Sequence, residues 1–512
     1  MNGADAVIAA ARDLGIKICF ANPGTTEMPL VLALDRVPGV RGVLCLHENV
    51  ATGAADGYAR MTGEPAMCLL HLGPGLANGL TNLHNARRAR VPVLNVIGEH
   101  ASWHIPADPL LNSEIERLTA WFKCEAVRVG EAGDAGRSIA GAIAAARADR
   151  AISTVIVPHD VQLAEAAGAS WPTGAAAPPR AFPAPNIGAA VKALRGERPA
   201  IVLGGDALTE RGLRLAGRIA AAAGATLYCD TFFARMERGG DLPRVKKLPY
   251  FPDMALDLMK QHAQVVIAGT RRPVTFFGYP GVPSHLTSEA QTVMLAAPDE
   301  DVMGALAALA DEIGAQEDFS VSPGARPDPP KGRLDAASVS AIIARLQPGN
   351  CIMMDEALTV GVPYFEASQS APRFTHMMLT GGAIGQGPST AAGAAFACPD
   401  RKVINFQSDG CGAYSVQALW TEARENLDVV TIIGANRSYN ILNVELARAG
   451  ITEPGRNTRH MAMLDAPYLD WVRIGEGFGV PGVSVDTAEA LALELEKAVA
   501  AKGPRLIEAV MD

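Results

Sequence analysis

The chain has 512 residues, of which 49% are hydrophobic, and its formal net charge is −9. At ~100 to 200 residues per domain, this length predicts about three globular domains. The acidic balance offers no basic surface to a nucleic acid, so we do not expect a nucleic acid as partner.

The N-terminus begins Met1-Asn2-Gly3 and runs directly into an amphipathic helix, without a basic region or a long apolar span. Secretion and membrane insertion are therefore unsupported. The eight cysteines are scattered singly, and no CxxC pair occurs among them. We therefore expect reduced thiols in a cytoplasmic protein.

Two strand-to-helix turns mark the first part of the chain. Residues 43–60 read VLCLHENVATGAADGYAR, an apolar strand that brings His47 and Glu48 to the start of a helix of small residues. Leu69 to Gly75 form a second strand that ends in a glycine turn, before a helix predicted over 76–88. Glycines at such a turn allow a ligand to approach the backbone closely.

Two proline-rich segments with alanine, 164–185 and 320–333, predict linkers that divide the chain. Between them, a strand over 199–205 ends in glycines and is followed by a helix over 208–223 and a strand over 225–229. This alternation is typical of parallel sheets covered by helices on both faces. We therefore predict an α/β fold of three doubly wound parallel-sheet domains, with bounds 1–165, 186–317 and 334–512.

Two polar residues near the C-terminus follow successive predicted strands. Asp409 follows the strand Val403–Phe406, and Asn436 follows the strand Val429–Ile433, with a helix predicted over 416–426. Because neighbouring parallel strands end at the same edge of a sheet, we expect the two side chains to meet there. Magnesium prefers oxygen ligands and usually keeps phosphate oxygens among them. The spacing predicts a metal-diphosphate site; an ordinary β-turn-α unit with a polar turn is the alternative.

Residues 408–440 resemble the thiamine diphosphate (ThDP) motif, which opens with Gly-Asp-Gly and closes with Asn-Asn and a downstream Tyr-Gly. The resemblance implies that Asp409 and Asn436 ligate Mg²⁺ through their side chains and Ser438 through its backbone carbonyl. Three positions depart from the motif without removing a proposed ligand: Ser408, Ala435 and Asn440.

The first domain resembles the pyrimidine-binding domain of the acetolactate synthase and benzoylformate decarboxylase group. The resemblance implies that Glu48 binds N1' of the aminopyrimidine, so that the imino tautomer can take the proton from C2 of the thiazolium. A buried carboxylate suits the sharing of a proton with a ring nitrogen. The alternative is an ordinary glutamate stabilised by the dipole at a helix start.

His71 distinguishes the two branches of this group. Benzoylformate decarboxylase-like enzymes carry a histidine at this position, whereas acetolactate synthases usually carry a small hydroxyl residue. His71 is therefore a candidate acid/base residue, or else a turn histidine satisfied by the backbone. The second histidine of such decarboxylases is absent from the best-matching segment 271–281, which has Phe276 and Phe277 instead.

The same resemblance assigns further residues to the cofactor. Ile384 would be the apolar wedge that holds ThDP bent, which brings the imino nitrogen close to C2; a plain core residue is the alternative. The other predicted cofactor contacts are Asn22, Pro23, Gly24, Thr25, Thr359, Gly382, Gly410, Cys411, Gly412 and Tyr439. Acetolactate synthases commonly bind FAD in the middle domain, but only Gly204-Gly205 and Arg271-Arg272 offer a phosphate site here, so FAD is open and not favoured.

The resemblance spans nearly the whole chain and implies pyrimidine-binding, middle and diphosphate-binding domains, in that order. It implies ThDP- and Mg²⁺-dependent decarboxylation of a 2-keto acid with carboligation, as in acetolactate synthase. A benzoylformate decarboxylase-like lyase that releases an aldehyde and a catalytically silent regulatory subunit are the alternatives. Relatives are homodimers or homotetramers with active sites between subunits. A dehydrogenase is unsupported, because no strand-linked G-x-G-x-x-G with a suitably spaced acidic residue occurs.

Overall fold

The computed structural model describes residues 1–122, 126–174, 180–317, 321–322, 324–326 and 328–511. Cys124 and parts of both predicted linkers lie outside the described residues, and the described cysteines are all free. Every described helix is too short or too polar to cross a bilayer. The described residues form three sheets, one for each predicted domain.

The first domain is a parallel sheet with helices on both faces. Its strands are β1 (Ile18–Asn22), β2 (Arg41–Leu44), β3 (Ala66–His71), β4 (Val93–Glu99), β5 (Ala126–Arg128) and β6 (Ile152–Pro158). Its helices are α1 (Gly3–Asp13), α2 (Met28–Arg36), α3 (Glu48–Thr62), α4 (Leu72–Ala89), α5 (Ile115–Ala120), α6 (Ala135–Asp149) and α7 (His159–Leu163). The strand order is β2-β1-β3-β4-β6-β5, which places the ends of β1 and β3 side by side.

The middle domain contains a smaller parallel sheet. Its segment of the chain forms β7 (Ala200–Leu203), β8 (Thr226–Cys229), β9 (Met236–Arg238), β10 (Lys246–Lys247), β11 (Val265–Ala268) and β12 (Thr292–Ala296). The helices are α8 (Pro185–Leu194), α9 (Glu210–Ala223), α10 (Pro252–Met259) and α11 (Val302–Glu312). The sheet has the order β10-β8-β7-β11-β12, so β9 is not part of it.

The third domain has the largest sheet. Its strands are β13 (Ile352–Glu356), β14 (Phe374–Met378), β15 (Val403–Ser408), β16 (Val429–Ala435), β17 (Gly482–Val485) and β18 (Arg505–Val510). Its helices are α12 (Ala336–Leu346), α13 (Tyr364–Ala367), α14 (Gly387–Ala397), α15 (Asp409–Gly412), α16 (Ala418–Arg424), α17 (Asn440–Arg448), α18 (Arg456–Ala462), α19 (Trp471–Gly477) and α20 (Ala488–Ala500). The order is β17-β18-β16-β15-β13-β14-β9.

The third sheet is parallel except at one edge, where β9 from the middle segment pairs antiparallel with β14. Arg238 of β9 is buried there and donates to the Phe365 carbonyl and to the Ser368 hydroxyl. The three-domain parallel α/β fold predicted from the sequence is confirmed. This antiparallel edge strand was not predicted.

The first and third domains pack through α3 and α14. A Cβ at Gly57 would overlap the carbonyl of Thr390, and a Cβ at Gly393 would overlap the carbonyl of Ala54. Only glycine allows two helix backbones to come this close. The small-residue character of α3 therefore serves the contact between domains, while its first residue, Glu48, is left at the far end.

Candidate active site

The end of the third-domain sheet brings the predicted metal ligands together. β15 and β16 are parallel neighbours, with Ser408 paired to Gly434, so Asp409 and the loop that begins at Asn436 leave the sheet side by side. Asp409 is buried, and burial raises the pKa of its carboxyl. This is the arrangement that the strand spacing predicted, and the predicted crossover helix is α16.

Backbone amides fix the Asp409 carboxylate. Oδ1 accepts from the N–H of Gly410 at 2.8 Å, and Oδ2 accepts from the N–H of Arg437 at 2.6 Å. Asn436 Oδ1 accepts from the N–H of Ser438 at 3.2 Å, so the loop 436–438 is held against the carboxylate. These oxygen donors are of the kind that Mg²⁺ takes. Among the described residues, no group of three or more His, Cys, Asp and Glu side chains is arranged to hold a metal ion.

The glycines after Asp409 have a packing role. A Cβ at Gly410 would come within 2.5 Å of the Tyr439 ring, and a Cβ at Gly412 within 2.9 Å of Trp471. Cys411 between them is buried. The predicted contacts Gly410, Cys411, Gly412 and Tyr439 therefore lie together, and their binding of diphosphate stays a prediction.

Two more loops lie on the third domain. Thr359 follows β13 and is partly exposed, and Gly382 and Ile384 are partly exposed in the loop before α14. Ile384 is therefore not a fully buried core residue, and its contact with a cofactor stays a prediction. The ring of Phe276 from the middle domain lies against Gly382, where a Cβ would come within 2.7 Å.

In the first domain, Glu48 is the first residue of α3 and is 7% exposed. Its Oε2 accepts from Asn78 Nδ2 at 3.0 Å, and a Cβ at Gly75 would lie 3.0 Å from its Oε1. The same Cβ would lie 3.3 Å from Cβ of His71. Glu48 and His71 therefore face the same small region, which is kept open by a glycine.

His71 ends β3 and is paired with a carboxylate that the sequence analysis had not assigned. Its Nδ1 lies 2.6 Å from Oε2 of Glu27, which is fully buried. The hydrogen bond that His71 donates to Glu27 raises the pKa of His71, against the opposing effect of partial burial. The His71 ring thus has a side-chain partner, and its acid/base role stays a prediction.

Glu27 is held by its own loop. The N–H of Gly24 donates to its Oε2 at 2.9 Å, and the hydroxyl of Thr26 donates to its Oε1 at 2.7 Å. A Cβ at Gly24 would overlap the His71 ring, so only glycine admits this contact. Asn22 at the end of β1 donates to the Cys45 carbonyl at 2.7 Å, and Pro23 and Thr25 complete the predicted segment.

The predicted glycine turn at 73–75 is wrong in one respect, because these residues form the first turn of α4. The chain changes direction one residue earlier, at Leu72, whose φ is +49°. Leu358 and Arg437 are also left-handed, with φ of +46° and +55°. Such values are strained for residues with side chains. Strain of this kind concentrates at ligand sites. Leu358 and Arg437 lie in loops with predicted cofactor or metal contacts, and Leu72 follows His71 directly.

The two halves of the candidate site lie on different domains. Among the described residues, no hydrogen bond or ion pair links Glu48 or His71 to the Asp409 loop.

The middle-domain candidates for FAD binding make contacts within the protein. A Cβ at Gly269 would overlap the Gly204 carbonyl, so these two glycine turns pack against each other, and Arg272 lies 3.5 Å from Glu289.

Comparison with known proteins gives matches to the first and the third domain. The family model for the thiamine pyrophosphate enzyme N-terminal TPP binding domain matches residues 1–118, and that for the C-terminal TPP binding domain matches residues 360–509. A Mycobacterium tuberculosis protein provisionally named acetolactate synthase large subunit IlvX is 45% identical, over 100% of this chain and 99% of its own length.

More distant relatives come from the decarboxylase branch. Benzoylformate decarboxylase of Pseudomonas aeruginosa is 27% identical over 97% of this chain and 96% of its own. The solved structure of a Rhodococcus jostii RHA1 ThDP-dependent 4-hydroxybenzoylformate decarboxylase has a TM-score of 0.87 and 24% identity, covering 100% of this chain and 99% of that one, and shows the shared fold. The chain therefore belongs to the thiamine diphosphate-dependent enzymes, among the carboligases and decarboxylases of the acetolactate synthase and benzoylformate decarboxylase type.

Proposed function

We propose that this enzyme uses ThDP and Mg²⁺ to decarboxylate a 2-keto acid and to join the remaining acyl unit to a second carbonyl compound, as acetolactate synthases do. The observation that carries the proposal is the presence of two complementary half-sites. One is the backbone-held carboxylate and amide of Asp409 and Asn436, and the other is Glu48 facing His71 across Gly75. The name of the 45% identical relative supports the carboligating outcome.

The third domain would hold the cofactor. Asp409, Asn436 and the carbonyl of Ser438 would ligate Mg²⁺, and diphosphate oxygens and water would complete its shell. Thr359, Gly382 and the turn after Asp409 would contact the diphosphate side. When bound, ThDP supplies the nucleophilic carbon and the electron sink that decarboxylation of a 2-keto acid needs.

The first domain would manage protons. Asn78 holds Oε2 of Glu48, which leaves Oε1 free to share a proton with the pyrimidine ring. His71 lies beside Glu48, and its raised pKa keeps a larger fraction of the imidazole protonated near neutral pH. A protonated His71 would donate to an oxygen or carbon of the substrate at this position.

The site would lie between subunits. Glu48 begins α3, and Asp56, eight residues further along, contacts the loop 380–387 of the same chain. At 1.5 Å per residue, about 12 Å of helix separates Glu48 from that contact. As the resemblance to relatives with active sites between subunits implies, Glu48 would serve the ThDP of a second copy, and the active enzyme would be a homodimer or homotetramer in the cytoplasm.

A second candidate is an aldehyde-releasing decarboxylase. The observation that favours it is the His71–Glu27 pair, which is suited to delivering a proton to the product carbon. The branches differ in the final acceptor: a proton gives an aldehyde, and a second carbonyl gives a coupled product. A silent regulatory subunit would be expected to lack Glu48 or Asp409, and this chain retains both.

The deciding experiment supplies the purified protein with ThDP, Mg²⁺ and a panel of 2-keto acids that includes pyruvate and benzoylformate. Carbon dioxide, aldehydes and coupled products are measured separately. We expect carbon dioxide together with a coupled product, acetolactate in the case of pyruvate. Aldehyde without coupled product would favour the second candidate, and the absence of carbon dioxide from every substrate would refute both. The colour of the protein would reveal a bound flavin.

A further inference from the structure

A buried ion pair lies where the three domains meet. Arg60 donates from Nε to Oδ1 of Asp56 at 2.8 Å and from Nη2 to Oδ2 at 2.9 Å, and both side chains are fully buried. Its Nη1 also donates to the carbonyls of Met378 at 2.7 Å and Ala234 at 3.0 Å. One guanidinium in the first domain is therefore bonded to the middle and third domains.

Gln386 connects this pair to the loop 380–387, which we call the wedge loop because it carries Ile384. Gln386 Nε2 donates to Oδ2 of Asp56, and Gln386 Oε1 accepts from the N–H of Thr380 at 3.1 Å. Arg60 Nη2 donates to the hydroxyl of Thr380 at 3.0 Å. Both ends of the wedge loop are thus held by the same ion pair.

Glu356 holds the wedge loop from the other side. Its Oε1 accepts from the N–H groups of Gly385 at 2.8 Å and Gln386 at 3.2 Å, and its Oε2 accepts from the N–H of Gly387 at 2.7 Å. Glu356 and Gln386 are fully buried, whereas the middle of the loop, with Ile384, is partly exposed. The fixed ends therefore determine where Ile384 lies.

Helix α4, which follows His71, also contacts the wedge loop. Asn85 near the end of α4 donates to the carbonyl of Ala383 at 2.7 Å, and His84 Nε2 lies 3.0 Å from the carbonyl of Gly381. α4 begins directly after His71, as α3 begins at Glu48. Both helices thus start at the proton-transfer side and contact the wedge loop of their own chain near their other ends.

We propose that Asp56, Arg60 and Gln386 are positioning residues that fix the wedge loop and couple it to the helices that carry Glu48 and His71. This proposal rests on the proposed function, in which Ile384 contacts ThDP. Because each active site would combine the wedge loop of one chain with Glu48 of another, these three residues would connect the two sites of a dimer.

The test compares Gln386→Met and Arg60→Lys with the control Arg150→Lys. Arg150 makes a two-point ion pair with Asp206, at 2.8 and 2.6 Å, which also joins two domains but does not contact the wedge loop. The measurements are hydrogen exchange over residues 380–387 without cofactor, the affinity for ThDP with Mg²⁺, and kcat and KM.

Gln386→Met removes the hydrogen bond from the amide to the Asp56 carboxylate. Because hydrogen bonds to charged groups stabilise more than neutral ones, we expect ThDP affinity and kcat to fall about tenfold. Exchange at Thr380 should be faster, and KM should be unchanged. The control should resemble the wild type in exchange and affinity. Loop exchange and ThDP affinity equal to those of the control would overturn the proposal. Gln386→Met removes no charge, so it keeps the test valid if Arg60→Lys fails to fold.

A double-mutant cycle with Asp56→Asn and Gln386→Met tests the coupling directly. The double variant should lose less ThDP affinity than the product of the two single losses, because both substitutions break the same Gln386–Asp56 hydrogen bond. Strictly multiplicative losses would overturn the coupling. If the wild type binds ThDP but turns over no 2-keto acid, the proposed function fails, whereas exchange and affinity still decide the positioning roles.

Discussion

The two halves of the candidate site are held in different ways. In the first domain, side chains hold side chains: Asn78 bonds to Glu48, and Glu27 bonds to His71. In the third domain, the carboxylate of Asp409 is held by backbone N–H groups of its own turn and of the next loop. Single substitutions can therefore change proton chemistry in the first half, whereas the second half depends on loop conformation.

The substitution Glu48→Gln should have the largest effect on kcat, and it should change turnover without changing ThDP binding. Loss of the carboxylate removes proton sharing, and general acid/base contributions of this kind suggest a fall in kcat of about 10³-fold. ThDP binding should change little, because the third domain would hold the diphosphate. Carbon dioxide release and calorimetric titration with ThDP measure the two quantities. Turnover within tenfold of the wild type would contradict the role of Glu48.

Asp409→Asn should give the opposite pattern. Loss of a group that only supports a metal ligand lowers metal affinity or activity by about 10- to 100-fold. Loss of a direct ligand should therefore weaken Mg²⁺-dependent ThDP affinity by about 100-fold or more. Trp471 lies beneath Gly412 and is buried, so its fluorescence should report binding. High Mg²⁺ should restore part of the affinity. An unchanged dependence on Mg²⁺ would remove Asp409 from the metal site.

Glu27→Gln should change the first half without abolishing it. The carboxylate raises the pKa of His71 above its ordinary value of 6.5, so the amide should return it toward that value. Any step that needs protonated His71 should then decline at lower pH, and kcat near neutral pH should fall. A pH profile of kcat measures this shift. The Thr26→Ser variant, which keeps the hydroxyl, is the control and should retain the wild-type profile.

The same pair affects stability with a defined sign. A histidine whose pKa is raised by folding contributes stability that is fully present below 6.5 and is lost as the pH rises through the raised pKa. Glu27→Gln should therefore lose less stability than the wild type when the pH is raised from 6 toward the alkaline range. An identical change in melting temperature for both proteins would indicate that the pair does not titrate in the folded state.

The third-domain half was easier to predict from sequence than the first. Asp409 and Asn436 follow successive parallel strands, and this order alone places them at one edge of the sheet. Glu27 could not be found in this way, because its partner His71 is 44 residues away and the contact depends on space left by Gly24. The spacing Gly24-x-x-Glu27 before α2, in which the glutamate reaches back to the N–H of Gly24, was the available signal.

Long-range pairing limited the prediction of the fold in the same way. The three sheets follow from alternating strand and helix patterns, which are local. β9 has three residues, and its partner strand β14 begins at Phe374, which pairs with Arg238. No local pattern indicates such a pairing, since it depends on the burial of Arg238 among groups of the third domain. The positioning residues Asp56 and Gln386 were missed for the same reason.

Glu422, a buried acid in the third domain, gives the prediction with the smallest expected effect and can be compared with Glu27. Glu422 in α16 is fully buried, and among the described residues its carboxyl oxygens have no hydrogen-bond partner. Burial raises its pKa from the ordinary 4.5 to about 8. Glu27, by contrast, bonds to Gly24, Thr26 and His71. The Glu27 carboxyl thus has three hydrogen-bond partners, whereas burial favours the neutral form of the Glu422 carboxyl.

Glu422→Gln should therefore make stability less dependent on pH. A carboxyl with a raised folded pKa imposes no penalty below 4.5, and the penalty grows by about 1.4 kcal/mol per pH unit until the folded group also ionises near 8. The amide does not titrate, so the loss in melting temperature between pH 5 and pH 8 should shrink by about 2–4 °C. Glu496 is exposed, so Glu496→Gln is the matched control, and its melting temperature should fall between pH 5 and pH 8 by as much as that of the wild type. An equal loss in Glu422→Gln would show that Glu422 causes no pH-dependent penalty and would contradict its raised pKa.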